Sequence, residues 1–354
     1  MNDFNDLNNE TFGEGGNNPP YTPPTPKYVT YIPYGFTPKT YEERNQIKKL
    51  ANIIGASLLI LTLLAAFISF GLTFVLSILG FASENVHNIL MDLGFNQFFQ
   101  ITVSTLIFIL PFTIIFKCSG YRISDLAIFE KPKEKKFLPF FLIGIAFCAF
   151  SNIAISIVGN IFEEFGINYE VDFGKYPEGF FGFLLSVIAT AIVPALIEEF
   201  TCRGLILGSL RKFGDGFAII ASSVVFGIMH GNFQQMPFAF LVGLMLAYIT
   251  VKTETLWVAV AVHAFNNFVS VVFNYFPKSI PQDIQNAMYV ILLTVLMIIG
   301  LISVFLLSKN NQDFEIKKSE TEATEKQKIK WFFSSVTIII FIVSSVLEAL
   351  EFFV

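Results

Sequence analysis

Charge is what this sequence has least of. Only 14% of its 354 residues are Asp, Glu, Lys or Arg, whereas soluble globular domains carry about 25%. The chain lacks the polar groups that keep a large surface wet, which excludes an ordinary soluble domain. Cysteine is scarce as well: Cys118, Cys148 and Cys202 stand in or beside apolar runs with no paired spacing. They read as free buried thiols, in preference to a disulfide framework or a metal site. The formal charge of -5 comes with no basic block, so nucleic acid is not expected as a partner. No short apolar core stands at the start, so no cleavable signal peptide is expected and the first apolar run, 51–81, reads as an uncleaved signal-anchor.

What the chain has instead is hydrophobic length. Hydrophobic residues make up 54% of it and the mean hydropathy is +0.63. Several stretches exceed the roughly 18 apolar residues that mark a candidate membrane span. Nine runs are legible, near 51–80, 98–116, 137–160, 184–210, 217–235, 236–251, 256–276, 287–307 and 332–353. The fifth and sixth are short and nearly continuous, which leaves a re-entrant hairpin open there. The fold class expected is an all-α polytopic membrane protein, a bundle of about eight to nine transmembrane helices around a central polar cavity.

Around the bundle the composition shifts. Residues 1–45, rich in Asn, Gly, Pro, Thr and Tyr, bury too little apolar surface to offset ordering, and read as a disordered cytoplasmic tail. The transmembrane domain then covers 46–308, followed by a charged cytoplasmic linker at 309–330 and a C-terminal transmembrane helix at 331–354. Lys and Arg favour cytoplasmic loops. Arg44, Lys48 and Lys49 precede the first span; Lys117, Arg122, Lys131, Lys133, Lys135 and Lys136 follow the second; Arg211, Lys212, Lys252 and the Lys-rich 309–330 segment continue the alternation. Lys175 stands alone among the acids of its outside loop, and in the second half only Lys278 falls on the wrong side. This pattern predicts an integral multi-pass protein with its N-terminus in the cytoplasm and its C-terminus outside.

Ionisable groups inside a bilayer cost a few kcal/mol each and mark function by default, and they cluster here between 198 and 267. In the fourth run, Glu199 and Arg203 are spaced i,i+4 with the acid first, the order that favours a same-face ion pair. Glu198 lies about 100° round the helix and is left free to accept a proton. Pro194 removes a backbone hydrogen bond and loosens the helix nearby. The fifth run ends in Phe226-Gly227-Ile228-Met229-His230-Gly231, where Phe226 shares a face with His230 and walls the imidazole off from lipid. In the seventh, His263 and Asn267 are again i,i+4, with Asn266 standing as an alternative partner. Helical rise puts Glu198, His230 and His263 each about 17–20 Å from the cytoplasmic edge, nearly one level. The bland alternative is a structural acid–base pair locking helices together, which accounts for Glu199 and Arg203 but leaves Glu198 without a partner.

Glu-Glu-x-x-x-Arg (198–203), Phe-x-x-x-His (226–230) and His-x-x-x-Asn (263–267), in that order on successive helices, resemble the CPBP family over roughly residues 180–275. That family includes eukaryotic CAAX prenyl endopeptidases and bacterial Abi-type proteins linked to bacteriocin processing or immunity. The resemblance implies a conical, partly hydrated cavity opening to the cytoplasm, with Glu198 and His230 activating a water. It implies that His263 and Asn267 stabilise the oxyanion, and that Glu199, Arg203 and Phe226 support them. No cofactor is required in this reading. A zinc version, with Glu198, His230 and His263 as ligands, is the alternative, and no His-Glu-x-x-His helix decides between them.

The function expected is thus an intramembrane endopeptidase acting on a membrane-associated peptide or protein within the lipid bilayer. A non-catalytic immunity or scaffold protein that binds a peptide is the second reading. A proton-coupled transporter is the third, disfavoured because no repeated halves with matching interrupted helices are evident.

Overall fold

In hydrocarbon every backbone N–H and C=O must be satisfied within the chain, so an apolar run long enough to cross becomes a helix. The computed structural model of the chain describes residues 32–78, 94–130, 134–164, 176–277, 279–309, 314–316 and 320–351. It is all-helical, with no strand among the described residues. In chain order the elements are α1 (Pro38–Ile78), α2 (Phe95–Cys118), a short α3 (Ile123–Leu126), α4 (Glu134–Glu164) and a continuous α5 (Gly179–Phe213). Then come α6 (Asp215–Ile228), α7 (Gln235–Thr253), α8 (Trp257–Asn274), α9 (Gln282–Lys309), α10 (Glu325–Phe333) and α11 (Val336–Glu351).

Seven of these helices are long and apolar enough to cross a membrane, or eight if the bent pair α10–α11 counts as one span. Two of the nine expected runs account for the difference. The fifth yields only α6, 14 residues or about 21 Å, short of the roughly 30 Å hydrocarbon core. It stops at the His230–Gly231 turn and packs against α7 as a hairpin. The ninth breaks at Ser334–Ser335, where α10 and α11 meet at 70°. Both serine hydroxyls donate to the Trp331 carbonyl (3.2 and 3.1 Å), which competes with helix continuation.

The tail expectation extends too far. The helix begins at Pro38, inside 1–45, because Thr37 accepts from the Thr40 N–H (3.1 Å) as an N-cap and Pro38 opens the first turn. Residues 1–31, which include the pairs Pro19-Pro20 and Pro23-Pro24, lie outside the described residues, as do His87, Lys131, Lys133 and Lys278. The linker is also shorter than expected: α9 ends at Lys309 and α10 starts at Glu325. Described parts of the linker dock rather than float, since Tyr248 and Lys252 of α7 donate to the carbonyls of Phe314 and Glu315 (2.8 and 2.9 Å). Cys118 is exposed, whereas Cys148 and Cys202 are buried, and all three are free.

Two apolar clusters hold the bundle. One gathers α1, α5, α6, α10 and α11 around Ile54, Leu205, Phe217 and Phe332; the other gathers α4, α7, α8 and α9 around Phe140, Leu246, Val258 and Val262. Outward faces carry large apolar side chains, such as Phe67 and Phe70 of α1 and Leu301 and Phe305 of α9, as a lipid-facing surface requires. The polar residues of α5, α6 and α8 lie where the two clusters meet.

Candidate active site

The two acids sit on a helix whose pitch changes around them. Val187–Ile192 and Phe200–Leu207 are wound as π-helix, and the stretch between them, Val193–Glu199, is α. Such segments of wider pitch free or shift backbone groups and recur at functional sites. Pro194 contributes here, because it has no N–H for the carbonyl four residues earlier, that of Thr190. Asn267 Nδ2 of α8 donates to that carbonyl at 3.1 Å, tying α8 to the loosened turn.

Glu199 is fully buried and engaged twice. Arg203 Nη1 donates to its Oε1 at 3.0 Å, and His263 Nδ1 donates to the same oxygen at 2.9 Å. Arg203, itself buried, also donates from Nη2 to the Gly243 carbonyl of α7 (3.1 Å) and lies over the Phe226 ring, 4.2 Å from its centroid. A carboxylate already held by an arginine accepts rather than donates, so Nδ1 of His263 carries a proton. The other ring nitrogen, Nε2, faces Glu198 Oε2 at 4.0 Å. Glu198 keeps 16% of its side chain exposed, against 0% for Glu199, and its Oε2 has no protein hydrogen-bond partner. The i,i+4 ion pair expected between Glu199 and Arg203 is present, and Glu199, like Glu198, keeps its Oε2 without a hydrogen-bond partner.

His230 stands just past the end of α6. Its Nδ1 is 2.7 Å from the Phe226 carbonyl. A carbonyl only accepts, so Nδ1 bears the proton and Nε2 is left with its lone pair. Phe226 touches both imidazoles edge to face, with ring centroids 5.0 Å from His230 and 6.0 Å from His263. It is the apolar centre that the polar groups surround, rather than only a screen against lipid. Glu198 is near enough to act electrostatically on both histidines. Glu198, Glu199, Arg203, Phe226, His230, His263 and Asn267 therefore occupy one region, drawn from α5, α6 and α8.

For zinc, Glu198, His230 and His263 would have to converge as ligands. Among the described residues no group of three or more His, Cys, Asp or Glu side chains is placed to hold a metal ion.

Several contributors were not singled out from the sequence. Asn232 fixes the turn that carries His230: its Nδ2 donates to the His230 carbonyl and to Gln235 Oε1 (both 3.0 Å), and its Oδ1 accepts from the Gln235 N–H (2.7 Å). A Gly-Asn pair before an apolar run is the signal for such a turn. Gly231 takes a left-handed φ of 65°, and the carboxyl of Glu348, from α11, lies where a side chain at 231 would project. Thr190 contributes only a carbonyl and left no mark in the sequence.

An all-helical membrane bundle with paired acids, two imidazoles and an amide gathered between its helices defines the class, a polytopic membrane protein with an embedded polar site. Residues 180–269 match the family described as type II CAAX prenyl endopeptidase Rce1-like. YdiL of Bacillus subtilis (strain 168), whose name proposes a membrane peptidase, is 32% identical over 84 residues, 23% of this chain and 34% of that protein. The membrane-embedded CAAX protease MroQ of Staphylococcus aureus (strain USA300) is 25% identical over 174 residues, 45% of this chain and 68% of MroQ. The chain thus spans about a third of one relative and about two thirds of the other. No solved structure matches the chain. These matches bear out the CPBP resemblance over the segment that carries the candidate site.

Proposed function

We propose that this chain is an intramembrane endopeptidase that hydrolyses a peptide bond of a membrane-associated peptide or protein, without a metal. The observation that carries the reading is the division of labour between adjacent acids. Glu199 is held at Oε1 by Arg203 and His263 and is fully buried, its Oε2 alone unpartnered, while Glu198 keeps part of its side chain exposed and has an unpartnered Oε2 facing His263. One acid holds the site and the other remains available as a base.

In this mechanism a water sits between Glu198 and His230 Nε2. As its oxygen attacks the scissile carbonyl carbon, its proton passes to Glu198. His263, held by Glu199 through Nδ1 and carrying a second proton on Nε2 as the imidazolium, and Asn267 donate to the oxyanion that forms, where fixed donors in a dry site count for most. Collapse of the tetrahedral intermediate breaks the carbon–nitrogen bond, and the proton held by Glu198 moves to the leaving amine. Phe226 keeps Arg203 and both imidazoles at fixed separations. The N-terminus lies in the cytoplasm, the C-terminus falls outside only if the bent α10–α11 pair does not cross, and the site is reached from the cytoplasmic side.

The test is cleavage of a panel of membrane-tethered peptides by purified protein in liposomes, wild type beside Glu198→Gln, with and without a zinc chelator. Cleavage by wild type alone, unaffected by chelator, is the expected result. Loss with chelator would replace the metal-free mechanism. No cleavage by either protein, both folded, would transfer the assignment to a peptide-binding immunity or scaffold role.

A further inference from the structure

An asparagine serves as an oxyanion donor only if its nitrogen, not its oxygen, faces the reaction. The two ends of the amide are nearly equal in size, so a 180° flip costs little in shape and reverses the polarity offered. What holds Asn267 in one sense is therefore a functional question, and it rests on the peptidase reading above.

The hydrogen bonds around Asn267 form one directed line. Asn152 of α4 donates from Nδ2 to the Cys148 carbonyl (2.9 Å) and to Asn266 Oδ1 (3.1 Å). Asn266 donates from Nδ2 to Asn267 Oδ1 (3.2 Å), and Asn267 donates from Nδ2 to the Thr190 carbonyl (3.1 Å). Both ends of the line are backbone carbonyls, which only accept. The Cys148 end fixes which atom of Asn152 is nitrogen, and the Thr190 end fixes the same for Asn267. Every link between them then runs donor to acceptor without conflict. The void beside Asn152 and Asn266 is about 10 Å³, space for one water at most, so bulk solvent does not compete with the amides.

We propose that Asn152 and Asn266 are positioning residues: through this three-amide relay from α4 to α5 they lock the orientation of Asn267, leaving its second N–H as the donor to the oxyanion. Asn266, first weighed as a substitute for Asn267, becomes the link that polarises it. Asn152 lies more than a hundred residues earlier in the chain, outside every motif of the site.

The test is a double-mutant cycle in liposomes with wild type, Asn152→Leu, Asn267→Ala and the double variant. Asn152→Leu is expected to lower kcat about tenfold with KM unchanged, and Asn267→Ala about a hundredfold. In the Asn267→Ala background, Asn152→Leu is expected to have no further effect on kcat, because a residue that acts through Asn267 has nothing left to orient. An equal loss in both backgrounds, or a change in KM alone, would overturn the relay. Should Asn152→Leu not fold, Asn152→Ser serves, since it keeps a polar group but lacks the reach to Asn266. The same cycle is read in thermal unfolding, where coupling between 152 and 267 supports the relay and additive shifts overturn it. That readout decides the relay even if wild type cleaves no peptide, an outcome that would remove the peptidase reading.

Discussion

Adjacent carboxylates at 198 and 199 are chemically alike and differ only in what they touch, so substitution should separate them. Glu198→Gln removes a base but leaves no buried charge behind, and it is expected to abolish cleavage while thermal unfolding in detergent stays close to wild type. Glu199→Gln leaves the Arg203 guanidinium buried without its counter-charge, a change that costs about 3–5 kcal/mol, and is expected to reduce the yield of folded protein. Gly231→Ala is expected to destabilise by more than about 1 kcal/mol, because φ is 65° and the new Cβ would press against the Glu348 carboxyl. Unfolding curves of the three variants check all of this together. The i,i+4 spacing made the Glu199–Arg203 pair readable in advance, since helical geometry alone fixes it. It could not show that Glu199 also takes His263, because that contact joins residues 64 apart and depends on how two helices dock.

The elements follow the same division. Length and hydropathy made most of the helices legible, and the closeness of the fifth and sixth runs was itself a sign of the α6–α7 hairpin. Composition misplaced the start of α1, because averaging over a Pro-rich stretch hid a local cap at Thr37-Pro38 that a position-by-position reading contains. The π-wound turns of α5 had no sequence signal beyond Pro194. Restoring a backbone N–H there should shift the balance between fold and activity. Pro194→Ala is expected to raise thermal stability, as Ala is favoured over Pro by up to about 3 kcal/mol in a helix interior. It should also lower kcat about tenfold, a barrier change of about 1.4 kcal/mol, because the Thr190 carbonyl then has a donor that competes with Asn267. An unfolding curve and a kcat measured on one preparation test both halves; a more stable variant with undiminished kcat would show that Asn267 does not depend on that carbonyl.

Across the whole molecule, the segment before α10 is fastened to the start of α1. Glu43 accepts from the N–H groups of Glu322 and Ala323 (3.1 and 3.0 Å), and Glu322 accepts from Thr37 (2.7 Å) and Thr40 (3.2 Å) with Lys39 at 4.0 Å. The Thr37 bond first, then Thr40 and Lys39, hold the Glu322 carboxyl below its ordinary value of 4.5. A depressed acid contributes stability above its unfolded value and loses it as pH falls through the folded one. Proteolysis near 320–324 is therefore expected to be flat from neutral pH down to 4.5 and to quicken only below it; quickening between pH 8 and 6 would rule Glu322 out as the cause. None of this fastening was legible in the sequence, which marks 309–330 only as charged.

Farther along, α1 and α11 cross where Gly55 leaves room for Thr337 and Ile338, and Thr337 donates to the Asn52 carbonyl (3.1 Å). α1 leaves the ribosome well before α11 does. The face of α1 that carries Ile47, Leu50, Ile54 and Leu58 must therefore wait in the bilayer while the intervening helices are synthesised. Until α11 arrives, the part of α1 around Gly55 that it crosses is covered by lipid or by an insertion chaperone, and α11 displaces whatever holds it when it docks.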